Sequence, residues 1–279
     1  MSWFLAIFMG FIQGLTEFIP VSSSGHLAIL QHFGLENIHD RHQFFDVLLH
    51  MGTLVAVFIA YWKDIVEMFW AVVSVFKRGG GSQDRPVEQS KKRLVFLLVL
   101  GTLPLVLVFP IRNVVGQLGN HLWFIGLMLL VTGGILFCSD KIVPGRGSEK
   151  NASVKGALFV GLLQVVGTLP GISRSGITIT GGLMSGFDRA FAVRFSFLLS
   201  IPAILGAYLV TLFGSLNTVD WSLMPRYLVG TVVAGVTGYF AIHLVKMLVK
   251  AGRFGKFAYY CWGLGIVTII VSIVSGIMA

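Results

Sequence analysis

Charge is what this chain has least of. Only 12% of its 279 residues are Asp, Glu, Lys or Arg, against 55% hydrophobic residues, which excludes a soluble domain with a solvated surface. Cysteine is scarce as well. Cys138 and Cys261 both lie in apolar segments without metal-ligand spacing, so a disulfide framework and a thiolate metal cluster are excluded and ordinary packing accounts for both. The start of the chain shows no charged stretch and no small-residue cleavage site, so no signal peptide is expected. Acidic residues are fewer than basic ones, 12 against 21. The basic residues gather in loops between apolar runs and nowhere alternate with aromatics along a stripe. They therefore point to anionic lipid head groups, and no nucleic-acid partner is expected.

What the chain has is apolar length. A mean hydropathy of +0.84 indicates a polytopic membrane protein. Six stretches are long and apolar enough to span, at about 44–62, 94–110, 121–139, 195–214, 227–246 and 258–278. Pro104 and Pro202 are expected to kink two of them. The stretches 1–42 and 156–190 are different: each is a pair of short apolar runs broken by Pro, Gly and Ser. They are expected to form re-entrant hairpins, whose irregular backbone must be buried in protein or line a wet cavity. The segment 65–77, preceded by Asp64 and carrying Glu67, is expected to lie in the interface.

An internal repeat organises these segments. A shift of 151 positions places Gly10 on Gly161, Gln13 on Gln164, Ser22 on Ser173, Ser24 on Ser175 and Gly25 on Gly176 without gaps. The same shift places Phe44 on Phe195, Leu48 on Leu199, Leu54 on Leu205 and Ala56 on Ala207. Each half then reads as one hairpin and three spans, and the odd number inverts the second half. The expected architecture is one all-α membrane domain over 1–279, with six transmembrane helices and two re-entrant helical hairpins in an inverted-topology repeat. Repeat one covers about 1–139, repeat two about 156–279, and a cytoplasmic linker loop about 78–93. Within that loop Gly79–Glu88 has the composition of a flexible linker.

Orientation follows from three basic loops. Lys77, Arg78, Arg85, Lys91, Lys92 and Arg93 form the first; Lys141, Arg146, Lys150 and Lys155 the second; Lys246, Lys250, Arg253 and Lys256 the third. All fall on one side of the six-span map, and that side is cytoplasmic by the positive-inside rule. The first hairpin then enters from outside and the second from the cytoplasm. Arg189 and Arg194 precede a span on the cytoplasmic side and are expected to meet lipid.

Two polar stretches interrupt the apolar ones: Gln13 to His26 (Q-G-L-T-E-F-I-P-V-S-S-S-G-H) and Pro170 to Thr178 (P-G-I-S-R-S-G-I-T). Ionisable groups at membrane depth are costly and mark function by default. Gln13 and Glu17, four residues apart, share a helix face. Glu17 could bind a divalent cation, act as general base or orient a histidine; the bland alternative is a helix-end group satisfied by backbone. A lone histidine at an apolar edge is usually structural, but His26 follows Ser22, Ser23, Ser24 and Gly25, which makes it a candidate acid, base or phosphoryl acceptor as well. Ser23 is a candidate nucleophile, although serine runs at helix starts more often serve as caps. Arg174 needs an anionic partner, and its fork matches phosphate oxygens, an ion pair with Glu17 being the internal alternative. Gly171 and Gly176 allow close backbone approach, and Ser173, Ser175 and Thr178 add hydroxyls. Asp46 and His50 share a helix face and either complete a metal site with Glu17 or form a helix-start carboxylate with a polar neighbour. No role is assigned to His32, His39, His42, His121 or His243.

These residues closely resemble the bacterial undecaprenyl-diphosphate phosphatases of the bacitracin-resistance type, over essentially the whole chain. The family's Glu/Gln-x-x-x-Glu pattern is matched by Gln13 and Glu17, its P-V-S-S-[ST]-G-H by Pro20 to His26, and its P-G-x-S-R-S-G-x-T by Pro170 to Thr178. Phe45 to Thr53 and Phe195 to Pro202 look like its secondary blocks. The resemblance implies an inner-membrane enzyme that hydrolyses undecaprenyl diphosphate to undecaprenyl phosphate and inorganic phosphate. It further implies a divalent cation, Mg²⁺ or Ca²⁺, and a site opening to the outer face. Gln13 stands where many relatives carry Glu, and it brings no charge to a metal site. A second lipid-phosphatase class pairs S-G-H with a later S-R and a further histidine. Ser24–Gly25–His26 and Ser173–Arg174 imitate its first parts, but residue 180 is Thr180 and no histidine follows nearby.

The resulting expectation places a polyprenyl diphosphate between the two hairpin tips, with its chain among membrane lipids. Glu17, His26, Arg174 and Ser23 are the catalytic candidates; Ser22, Ser24, Gly25, Gly171, Ser173, Ser175, Gly176 and Thr178 bind substrate; Glu17, Gln13, Asp46 and His50 are the metal candidates. The competing reading is a transporter or flippase of an anionic prenyl phosphate, because inverted repeats with broken midplane segments are a transporter architecture. A homodimer is compatible with either.

Overall fold

Inside hydrocarbon a backbone must satisfy its own polar groups, and helices do so within one segment. The computed structural model describes residues 1–32, 43–76, 86–215 and 220–278, and helix dominates them. The first hairpin is α1 (Trp3–Phe18) and α2 (Ser23–His32), parted by Ile19–Ser22 around Pro20. Ser2 caps α1 by accepting from the Leu5 N–H at 3.1 Å. Next come α3 (Gln43–Ala60) and α4 (Trp62–Phe76). The chain continues through α5 (Pro86–Thr102), a 3₁₀ stretch (Leu103–Ile111), α6 (Arg112–Leu118) and α7 (Leu122–Ser139). The second hairpin is α8 (Val154–Val166) and α9 (Arg174–Met184), followed by α10 (Arg189–Ser215), α11 (Met224–Lys250) and α12 (Phe257–Met278).

Five of these continuous helical stretches are long and apolar enough to cross a membrane: Gln89–Leu118, Leu122–Ser139, Arg189–Gly206, Trp221–Lys250 and Phe254–Gly276. A sixth span arises if α3 and α4 are counted together, but they are bent by 82° at their junction. The expected spans coincide with α3 and these five stretches. Around Pro104 and Pro110 the chain winds into the tighter 3₁₀ form, because proline removes backbone donors from the α ladder. Pro202, by contrast, lies inside α10 without ending it.

The expected linker at about 78–93 lies outside the described residues as far as residue 85, and from Pro86 it is already α5. Lys91, read as a loop cation, is instead buried against carboxylates. Its Nζ lies 2.9 Å from Asp64 and from Glu67, and 3.4 Å from Glu149. Arg194, read as a lipid contact, joins the same group at 2.5 Å from Asp64 and 2.7 Å from Glu149. Four carriers, α4, α5, α10 and the segment before α8, are thereby tied together. Arg189 donates to the Val249 carbonyl at 3.2 Å at the end of α11.

Glycines set the closest helix approaches, as is common where lipid supplies no hydrophobic drive between helices. A Cβ on Gly10 of α1 would lie 2.2 Å from the Gly230 carbonyl of α11, and one on Gly161 of α8 would lie 2.4 Å from the Gly101 carbonyl of α5. Gly126 and Gly265 face each other reciprocally, each hypothetical Cβ 2.8 Å from the other's carbonyl oxygen. The two glycines related by the 151-residue shift thus each press on a glycine of the opposite half. Gly10→Leu and Gly161→Leu are expected to force these helices apart. The check is thermal unfolding in detergent, where both variants should melt below the parent while Gly134→Ala, with open space at its Cβ, should not.

Candidate active site

The site is organised around one carboxylate. Glu17 is the penultimate residue of α1, two before the break at Ile19, and its side chain is only 3% exposed. Gln13, one turn earlier, donates Nε2–H to Glu17 Oε2 at 3.1 Å. Ser23, the first residue of α2, donates its hydroxyl to the same oxygen at 2.9 Å. Arg174, the first residue of α9, donates Nη2–H to Glu17 Oε1. His50 of α3 brings Nε2 to 3.8 Å from Oε2, and its Nδ1 donates to the Asp46 carbonyl at 2.8 Å. Four helices from both halves therefore converge on Glu17.

The two hairpin tips are built alike. Ser22 Oγ accepts from the Gly25 N–H and Ser173 Oγ from the Gly176 N–H, both at 3.1 Å. Ser22 and Ser24, like Ser173 and Ser175, approach hydroxyl to hydroxyl at 3.3 Å. Both turns need unusual backbone: Ser22 has φ +68°, sparsely populated for a side-chain-bearing residue, and Gly171 has φ +95°. A Cβ on Gly25 would lie 3.3 Å from Gly171 Cα, so the tips touch. Thr132 of α7 pins the second tip, donating to the Gly171 carbonyl at 3.0 Å and accepting from the Ser173 N–H at 3.1 Å.

A cavity of about 760 Å³ opens beside Glu17. Of the sequence candidates, Glu17, Ser22, Ser23, Ser24, Asp46, His50, Ser173 and Arg174 line it. Gln13 lies behind Glu17, and Gly25, Gly171, Ser175 and Gly176 shape the tips without lining the cavity. Thr178 faces protein, donating to the Arg174 carbonyl at 2.7 Å and meeting the Ser196 hydroxyl at 2.5 Å. His26 also lies off the cavity wall. Its Nδ1 is 2.7 Å from the Ser22 carbonyl, which can only accept, so Nδ1 carries the proton. Its Nε2 is 2.7 Å from the Tyr260 hydroxyl of α12. Both nitrogens are occupied, and the ring braces the first tip.

Sequence reading missed Thr132 and Tyr260, and it missed Arg112 and Asn113, which also line the cavity. Thr132 carries a sequence signal, a lone hydroxyl in an apolar span. The other three become meaningful only through contacts distant in sequence.

Removing the guanidinium strands a buried carboxylate. Arg174→Ala is expected to lower the melting temperature in detergent, and Glu17→Gln in the same chain to recover a large part of it. Equal melting of all three proteins would contradict the pairing.

Residues 6–267 match the family model described as Bacitracin resistance protein BacA. An Undecaprenyl-diphosphatase of Desulfosudis oleivorans is 43% identical over 270 residues, covering 94% of this chain and 96% of the relative. One of Methanosphaera stadtmanae is 38% identical over 281 residues, covering 96% and 98%. One of Halothermothrix orenii is 38% identical over 274 residues, covering 98% and 99%. A chain matched over nearly its whole length, with motif residues of both hairpins meeting on one carboxylate, belongs to the BacA bacitracin resistance family.

Proposed function

We propose that this protein is a membrane phosphatase that hydrolyses undecaprenyl diphosphate to undecaprenyl phosphate and inorganic phosphate. It thereby recycles the lipid carrier of cell-wall synthesis and confers bacitracin resistance. The observation that carries this reading is the joining of Glu17 and Arg174, from two separate hairpins, on the wall of one polar cavity inside an apolar bundle. Family membership and the names of the relatives agree with it.

The terminal phosphate sits against Arg174 and the Ser173 hydroxyl, where a guanidinium fork fits two phosphate oxygens. Ser23 Oγ already donates to Glu17. Glu17 therefore takes the proton as Oγ bonds to the terminal phosphorus, and the bond from that phosphorus to the bridging oxygen breaks. Undecaprenyl phosphate leaves with the electron pair; water then attacks the phosphoserine, releasing inorganic phosphate and restoring Ser23. Arg174 stabilises the charge that spreads over the transferred group. His26 keeps the Ser22–Ser24 turn in place through the Ser22 carbonyl.

Among the described residues no three His, Cys, Asp or Glu side chains converge to hold a metal by themselves. A divalent cation, Mg²⁺ or Ca²⁺, nevertheless fits here together with substrate. Glu17, Asp46 and His50 on the cavity wall would hold it, and Gln13, behind Glu17 and off that wall, would add its Oε1, buried without a hydrogen-bond donor, only on turning toward the cavity. Mg²⁺ commonly takes one or two carboxylates and completes its shell with phosphate oxygens and water. When bound, it would neutralise phosphate charge.

We place the protein in the bacterial inner membrane with the cavity facing outward, supported by the one-sided basic loops. The inverted repeat is supported by the matched glycine contacts and matched hairpin caps. Those same correspondences favour transport of an anionic prenyl phosphate as the second reading.

Phosphate release from a long-chain polyprenyl diphosphate in detergent separates the two, since transport has no meaning without a sealed bilayer. Release should require Mg²⁺ or Ca²⁺ and disappear with EDTA. Arg174→Ala should lose about two to three decades in rate, the cost of removing one transition-state donor. Near-normal turnover in folded Arg174→Ala would overturn the mechanism.

A further inference from the structure

The motif residues account for one phosphate of a diphosphate, and the substrate has two. Arg174 shares its charge with Glu17, so the pair together offers little net positive potential. Among the described residues the cavity wall holds one further Lys or Arg, and that is Arg112, with Asn113 beside it. Neither belongs to the two polar stretches.

Three observations suit Arg112 to an anion. First, no carboxylate among the described residues pairs with it; its guanidinium lies 4.7 Å from the Phe109 ring centroid instead. Stacking of this kind restrains the planar fork while leaving its N–H edges available. Second, the 3₁₀ stretch Leu103–Ile111, which leads directly into Arg112, packs against α8 of the second hairpin. Arg112 accordingly shares one cavity wall with Arg174. Third, Arg112 directly follows the 3₁₀ stretch Leu103–Ile111, where Val106, Leu107 and Phe109 are 70%, 57% and 60% exposed. A phosphate at Arg112 therefore has apolar surface next to it.

We propose that Arg112, assisted by Asn113, forms the subsite for the prenyl-bearing phosphate, the one that leaves. This rests on the phosphatase reading above. When the bond between the terminal phosphorus and the bridging oxygen breaks, that oxygen departs with the electron pair on the prenyl phosphate. Arg112 receives this charge while Arg174 holds the group transferred to Ser23. The two arginines thus select a diphosphate over a single phosphate, since only a diphosphate reaches both.

The test uses the full chain in detergent, with Arg112→Ala, Arg112→Lys and Asn113→Ala. Inhibition of polyprenyl diphosphate hydrolysis by methylenediphosphonate, which spans both subsites, is compared with inhibition by inorganic phosphate, which needs only the Arg174 side. Arg112→Ala should weaken methylenediphosphonate about tenfold and lower kcat/KM at least as much, while phosphate inhibition stays within about twofold. Arg112→Lys should fall between parent and Arg112→Ala, and Asn113→Ala should show a smaller loss of the same kind. Unchanged methylenediphosphonate inhibition in Arg112→Ala, or an equal loss for both inhibitors, would overturn the subsite. Because Arg112 is exposed, its variants should melt like the parent. If the parent protein does not hydrolyse the lipid at all, the phosphatase reading fails. Calorimetric binding of methylenediphosphonate to parent and Arg112→Ala then decides the subsite separately.

Discussion

A carboxylate held at 3% exposure within an apolar bundle has to meet positive charge or hydrogen-bond donors, and Glu17 meets both. Its partner, Arg174, lies 157 residues away in the sequence, on the other hairpin. Much of the local architecture follows from bringing these two side chains together. A helix must end near Glu17 and another must begin at Arg174, so the breaks of the two hairpins lie against each other. Each break leaves helix-start N–H groups without partners, and Ser22 and Ser173 supply them with hydroxyl acceptors. The break that would be a defect in an ordinary span thus becomes the place where a phosphate can be received.

The scaffold keeps that arrangement by close packing rather than by charge. Gly10 against Gly230 and Gly161 against Gly101 let α1 and α8 sit tightly on α11 and α5. The tips are tied from behind by Thr132 on α7 and by the His26–Tyr260 hydrogen bond to α12. Two spans far apart in sequence, α7 and α12, meet through Gly126 and Gly265, so each tip is braced by a helix that also holds the other's brace. Far from the cavity, the carboxylates of Asp64, Glu67 and Glu149 gather Lys91 and Arg194. Ion pairs among the described residues therefore gather in two places, one at the chemistry and one at the α3–α4 bend.

Glu17, Arg174 and Ser23 were legible in the sequence because polar residues at membrane depth have few bland explanations. The spans were legible from apolar length, and the paired hairpin caps from the 151-residue repeat. Side-chain direction was not legible. His26 and Ser23 are neighbours in one motif, yet Ser23 turns to Glu17 and His26 to Tyr260. Ser22, Ser23 and Ser24 all line the cavity, yet only Ser23 donates to Glu17, and neither that choice nor the positive φ at Ser22 is announced by a local pattern. Lys91 and Arg194 read as loop and lipid cations because their carboxylate partners are distant in sequence. Arg112 carries no motif at all and acquires meaning only from the cavity it shares with Arg174.

The central claim is that Glu17 and Arg174 act as one unit across the two hairpins. The most direct measurement is a double-mutant cycle on phosphate release in detergent, using Glu17→Gln, Arg174→Gln and both together. The account predicts that the double variant is no slower than the worse single variant, since each change already dismantles the shared site. Losses that multiply, so that the double variant falls by the product of the two singles, would place the residues in independent roles and contradict it.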